Sequence, residues 1–133
     1  MFNLNNKDDF GIFEVGMDKK GEINNLTKIL KPDVGVITNI SYAHAKNFKN
    51  LKQIALAKSE IMNNIVSGGS VVLNADDRFY KFHRKIALRK KLKVYSFSLF
   101  KKNTTVGLVS IKKEKTKFKV IINVNNQKKY FLC

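Results

Sequence analysis

The sequence is short of most residues that would announce a specialised class. It has no tryptophan, one proline (Pro32) and one cysteine (Cys133) in 133 residues. A lone cysteine cannot close an internal disulfide, which excludes a stapled secreted scaffold. No apolar run approaches the ~20 residues needed to cross a bilayer. The polar start, Met1 to Asp9, lacks the apolar centre of a signal peptide. These absences point to a cytoplasmic, soluble protein with no membrane partner. There is no repeat and no low-complexity linker. The length fits one domain, and 44% hydrophobic residues are enough for a sizeable core.

Acidic residues are the second scarcity, and it is local. Residues 1–77 carry nine Lys and nine Asp or Glu, whereas residues 78–133 carry seventeen Lys or Arg against Glu114 alone. A basic half of this kind raises a nucleic-acid reading. The near-absence of arginine argues against it. Only Arg78, Arg84 and Arg89 occur, and Arg is the residue suited to bidentate phosphate and base-edge contacts. Fifteen Asn and abundant Lys and Ile match the drift of an AT-rich genome, so a solvated lysine-rich face accounts for the charge.

What is present is an alternation of short apolar runs with amphipathic stretches. Strands are expected at Phe10–Val15, Val34–Ile40, Ser70–Leu73 and Lys93–Phe97. The run from Val34 to Ile40 suits a parallel strand buried on both faces. Helices are expected at Glu22–Leu30, Asn50–Ile65 and Asp77–Lys91. Lys31-Pro32-Asp33 stops the first, and Ser67-Gly68-Gly69 the second. Strand and helix at this pitch imply βαβ units and an α/β fold with a mainly parallel sheet and flanking helices. Past Phe100 the pattern changes to antiparallel strands at Thr105–Ile111, Lys117–Val124 and Lys128–Leu132, with Asn125-Asn126 as a hairpin turn. Residues 10–100 thus form an α/β part, and 101–133 a β-rich tail that packs on, or continues from, the sheet edge.

In an open α/β sheet, ligands bind at the carboxyl ends of the strands. Glu14 closes the first expected strand, Asn39 and His44 follow the second, Lys58 lies on the next helix, and Asn74-Ala75-Asp76-Asp77 closes the third. Each has an ordinary explanation: a solvated acid, a structural His, a snorkelling Lys, a helix-capping Asp. Together, a carboxylate and an imidazole at neighbouring strand ends can share a divalent cation.

The blocks occur in an order that resembles the Mur ligases: Glu14-Val15-Gly16-Met17 with Gly21-Glu22-Ile23, then Lys31-Pro32-Asp33 with Val36-Ile37-Thr38-Asn39-Ile40 and Ala43-His44, then Ile54-Ala55-Leu56-Ala57-Lys58-Ser59-Glu60-Ile61, then Gly68-Gly69 and Val72-Leu73-Asn74-Ala75-Asp76-Asp77. The resemblance covers roughly residues 10–80. It is closest to the branch that adds D-alanyl-D-alanine to UDP-N-acetylmuramoyl-tripeptide. It implies the family's central ATP-binding domain. It also implies Glu14 and His44 as Mg2+ ligands, Lys58 as the lysine that becomes carbamylated, and Asn39, Asn74, Asp76 and Asp77 as residues bordering ATP. The implied reaction activates a carboxylate as an acyl phosphate, which the dipeptide amine then attacks. Asp18, Lys19, Ala45 and Lys46 depart from the branch's usual residues.

The family's phosphate-binding Gly-rich loop with its Lys-Thr ending is absent from these residues. The resemblance places it upstream, in a preceding segment or a separately encoded half, so a partial central domain, inactive alone, is expected. Two other readings stay open: a non-catalytic basic module for RNA or another acidic partner, and a folded remnant without function.

Overall fold

The computed structural model describes residues 7–42 and 47–133. Helix α1 spans Glu22–Leu30, β1 Val34–Ile37, α2 Leu51–Ser59, β2 Ser70–Asn74, α3 Tyr80–Arg89 and β3 Lys93–Ser98. Strands β4 (Val106–Glu114), β5 (Lys117–Val124) and β6 (Gln127–Leu132) follow. Among the described residues the six strands form one sheet in sequence order, parallel from β1 to β4 and antiparallel from β4 to β6.

Alternation along β1 and β2 places Gly35, Ile37, Val71 and Leu73 on one face, in register with Val94 of β3. Helices α2 and α3 cover that face. Ile54, Ala55, Met62, Val71, Leu73 and Ala87 are almost fully buried there. Burial of each large side chain stabilises the fold by about 1.5–3 kcal/mol. Glycine at position 35 lets Ile61 and Ile65 lie against the strand, since a Cβ there would meet both within 3.0–3.4 Å.

Four expected elements need correction. Phe10–Val15 is not a strand: the ladder begins at β1, and Phe10 and Ile12 are 88% and 96% exposed. Apolar, β-branched composition favours extended backbone, but a strand also requires a paired neighbour. Strand β1 ends at Ile37 rather than Ile40, because the Ile40 N–H is taken by the Asp77 carboxylate instead of the ladder. It is also buried on one face only, with Val34 and Val36 about half exposed. The second helix is not uniform. Asn50 caps it by accepting from Gln53 N–H, and after Ser59 it tightens into a 3₁₀ turn, Glu60–Asn63. Helix α3 starts three residues later than expected, after a turn in which Asp77 accepts from Phe79 N–H at 2.7 Å.

The β-rich tail continues from the sheet edge. Only Phe97↔Val106 and Ser98↔Gly107 pair β3 with β4, so β4 starts where β3 ends and runs on in the same direction. The antiparallel meander therefore extends about 20 Å past the carboxyl edge of the parallel strands. Its turn at Asn125-Asn126 has φ of 48° and 66° at the two residues, as a two-residue primed hairpin turn demands.

One buried group links the helices. His83 is 2% exposed, and its Nε2 lies 3.0 Å from the Ala55 carbonyl, so the Nε2–H tautomer donates there. Burial lowers its pKa below 6.5. The Ala55 hydrogen bond and the charge of Asp77 oppose that shift, and Lys58 reinforces it. The unfolded chain takes up this proton at higher pH than the folded chain does. The stability contributed by neutral His83 is thus complete above pH 6.5 and declines as pH falls from there towards the folded pKa. Thermal unfolding followed between about pH 7.5 and pH 5.5 should show this decline, and His83→Gln, which keeps the donor without the titration, should flatten it.

At the opposite edge the chain enters β2 through Gly68 and Gly69. A Cβ on Gly69 would lie 2.5 Å from Ile65 Cγ2 and 2.7 Å from the Asp33 carbonyl oxygen. Gly69→Ala should destabilise the protein by about 1–3 kcal/mol, read as a lowered denaturation midpoint.

Candidate functional site at the carboxyl edge of the sheet

The carboxyl ends of β1 and β2 are joined by side chains, not only by the ladder. Asn74 donates from Nδ2 to the Thr38 carbonyl at 2.9 Å and accepts from Asp76 N–H at 2.8 Å. Asp77 spans further, accepting from Ile40 N–H through Oδ2 at 2.7 Å and from Phe79 N–H through Oδ1. Asp76 faces the other neighbour. Its carboxylate accepts from Ser98 Oγ at 2.6 Å and from Leu99 N–H at 2.7 Å, and Ser98 Oγ in turn accepts from Phe100 and Lys101 N–H. Burial acts to raise the Asp76 pKa. The Ser98, Leu99 and Phe100 hydrogen bonds and the charge of Lys101 outweigh it, so the group is held below the ordinary Asp value. The Lys101 ammonium donates to the Ala75 carbonyl, closing the same turn.

Lys58 reaches this edge from α2. It is half-buried, and its Nζ donates to the Asn39 carbonyl at 3.0 Å, just past the end of β1. Asn39 itself is exposed, its Oδ1 accepting from Thr38 Oγ1 at 3.3 Å. The structure thus brings together Asn39, Lys58, Asn74, Asp76 and Asp77. Glu14 lies apart in sequence, exposed in the non-strand segment ahead of α1, where Met17 packs against the core. His44 lies outside the described residues.

The donor chemistry divides these residues. Both oxygens of Asp76 and both of Asp77 are engaged by N–H or O–H donors, which suits them to shaping the strand-end loops. Glu14 is an exposed carboxylate, the hard oxygen ligand that a cation such as Mg2+ takes. Among the described residues no group of three His, Cys, Asp or Glu is close enough to hold a metal. A free Lys58 ammonium would repel a cation. A carbamate there would attract one and still keep an N–H for the Asn39 carbonyl.

Two participants were not read from the sequence. Glu60 is 9% exposed and binds the start of α1, and Ser98 organises the β3–β4 turn. The signal for Glu60 was that it is the single acid in the helical run over 50–65. Ser98 gave none.

The stitch between β1 and β2 can be tested directly. Asp77→Ala leaves two backbone donors without their acceptor and should cost about 1–3 kcal/mol, with faster amide exchange at Ile40 and Phe79. Asp77→Asn, which keeps one acceptor oxygen, should lose less.

A family model described as the Mur ligase middle domain matches residues 1–132. Two curated relatives, each named UDP-N-acetylmuramoyl-tripeptide--D-alanyl-D-alanine ligase, illustrate the similarity. That of Rickettsia prowazekii is 39% identical over 92 residues, 67% of this chain and 20% of the relative. That of Buchnera aphidicola is 32% identical over 122 residues, 90% of this chain and 26% of the relative. Among solved structures, MurF from Acinetobacter baumannii superposes with a TM-score of 0.77 at 26% identity, covering 88% of this chain and 25% of that one. MurF from Thermotoga maritima in complex with ADP shares the fold, with a TM-score of 0.74 at 23% identity over 86% of this chain and 26% of that one. The chain spans about a quarter of the length of the relatives it matches. With its sheet topology and its match over residues 1–132 agreeing, the chain belongs to the Mur ligase family and carries the fold of its middle domain.

Proposed function

We propose that this chain is part of the ATP-binding domain of a ligase that joins D-alanyl-D-alanine to UDP-N-acetylmuramoyl-tripeptide. The observation that carries the reading is the Lys58 amine, directed along the sheet edge onto the Asn39 carbonyl, beside the Asn74 and Asp77 cross-links. That edge is where an open α/β sheet receives its ligands. The named relatives support the choice of substrates.

In this reading Glu14 and His44 hold Mg2+, and Lys58 assists as its carbamate. Bound Mg2+ supplies charge neutralisation for a transferring phosphoryl group. Asn39 borders the nucleotide with its exposed side chain. Asn74, Asp76 and Asp77 act at one remove, by fixing the loops that ATP meets. No phosphate-cradling Gly-rich loop lies within the 133 residues, so the remaining phosphate contacts come from elsewhere in the assembled enzyme. The protein works in the cytoplasm, where its soluble nucleotide-linked substrate is made. Among the described residues no helix is long and apolar enough to cross a membrane.

A second reading, a non-catalytic module for RNA or another acidic partner, draws on α3, where Lys81, Arg84, Lys85 and Arg89 line one face. Retention on heparin that is lost at moderate salt, falls with Arg84→Gln/Arg89→Gln and is unaffected by changes at Glu14 would favour it.

The isolated chain should form no pentapeptide product from ATP, Mg2+, bicarbonate and both substrates. A chimera in which residues 10–132 replace the matching segment of the Rickettsia prowazekii ligase should form it. In that chimera Lys58→Ala should abolish turnover, and short carboxylic acids should restore part of it by standing in for the carbamate. Product formation by the isolated chain would overturn the division of labour. A folded Lys58→Ala chimera with full activity would overturn the role of Lys58.

A further inference from the structure

Glu60 is a buried carboxylate that the proposed chemistry does not use. It lies 9% exposed at the point where α2 tightens into the 3₁₀ turn. Its oxygens accept from Gly21 N–H, each at 2.9 Å, and Oε2 also accepts from Asn24 N–H at 3.2 Å. These are first-turn donors of α1, which a helix leaves without internal partners. The residue at the α1 N-cap position is Gly21, with φ of 95° and no side chain to cap with. A carboxylate from 39 residues away does that work, with the favourable charge for a helix N-terminus.

Two residues earlier, Lys58 makes the bond to the Asn39 carbonyl. Residues two apart on a helix point about 200° away from each other. The end of α2 is therefore held from opposite sides, by α1 through Glu60 and by the end of β1 through Lys58. A turn of the helix about its own axis displaces the roots of both side chains at once. A rotation of roughly 20° moves a Cβ by roughly 1 Å, which lengthens hydrogen bonds of this kind or forces their side chains to readjust. The neighbouring contacts reinforce the α1 side: Asn64 Nδ2 donates to the Asn24 carbonyl and to Thr27 Oγ1.

We propose that Glu60 is a positioning residue for Lys58: by bonding the first turn of α1 it fixes the rotation of the α2 end and keeps the Lys58 amine on the Asn39 carbonyl. The same bonds tie the segment that bears Glu14 to the helix that bears Lys58, because that segment leads directly into Gly21. The importance of this coupling for ligation rests on the role given to Lys58 above. The coupling itself is a property of this chain and can be measured without any ligase activity.

The experiment is a brief pulse of acetic anhydride on the folded chain, with acetylation at each lysine quantified by mass spectrometry. The readout is Lys58 labelling relative to the exposed Lys52 on the same helix. In the unmodified chain Lys58 should label more slowly than Lys52. Glu60→Ala should raise the Lys58-to-Lys52 ratio several-fold, the size expected from losing a charge-assisted hydrogen bond. Ala87→Gly, which loosens α3 instead, is the stability control and should leave the ratio unchanged. Should Glu60→Ala fail to fold, Glu60→Gln serves, since it keeps one acceptor oxygen and should raise the ratio by a smaller factor. An unchanged ratio in the folded Glu60 variant, or an equal rise in Ala87→Gly, would reduce Glu60 to a helix cap and overturn the proposal.

Discussion

Everything at the candidate site hangs on the stitch between the carboxyl ends of β1 and β2. Strand β1 is four residues long and lies at the edge of the sheet, so its ladder alone is a weak hold on the loop that follows. Asn74 and Asp77 extend that hold beyond the ladder by bonding the Thr38 carbonyl and the Ile40 N–H. The Asn39 carbonyl, which receives Lys58, lies between those two points and inherits its position from them. Both are interactions between a side chain and the backbone of a neighbouring strand end, and their strength depends on leaving no buried donor unpaired.

The helices convert this edge into an oriented arrangement. His83 pins α3 to the Ala55 carbonyl of α2, while Asn50 closes the start of α2. The far end of α2 then carries Lys58 towards the sheet and Glu60 towards α1. A conventional N-terminal cap on α1 would have satisfied that helix locally. Using Glu60 makes the start of α1 depend on the end of α2, two residues from Lys58. Asp76 plays the matching part on the other side. Its bonds to Ser98 and Leu99 shape the turn from which the antiparallel meander runs past the carboxyl edge.

Much of the fold was legible in the chain. The period of Glu22–Leu30 and the stop at Lys31-Pro32 give α1 with its observed bounds. The alternation in Lys117–Val124 and the Asn125-Asn126 pair likewise give a strand and a primed turn where the structure has them. These features depend on local backbone preference and side-chain spacing, which a short segment carries by itself. The strand expected at Phe10–Val15 failed because pairing is a property of two segments, and the ladder among the described residues begins at β1. The helix over 50–65 was right in place and wrong in its last turn, where the tie from Glu60 to α1 accompanies a tighter winding.

The sequence by itself determined the class of the fold, the order of its elements and the set of polar residues gathered at strand ends, because periodicity and turn chemistry are local and the motif order is carried by the chain. The tertiary structure decided what those residues do. Asp76 and Asp77 look alike in sequence, yet one shapes the β3–β4 turn and the other stitches β1 to β2, since each carboxylate bonds whichever backbone donors packing brings within about 3 Å. Glu60 could equally have been a solvated charge on a helix. It became the cap of α1 because folding placed that helix start, with its unpaired N–H groups and no capping side chain of its own, directly against it.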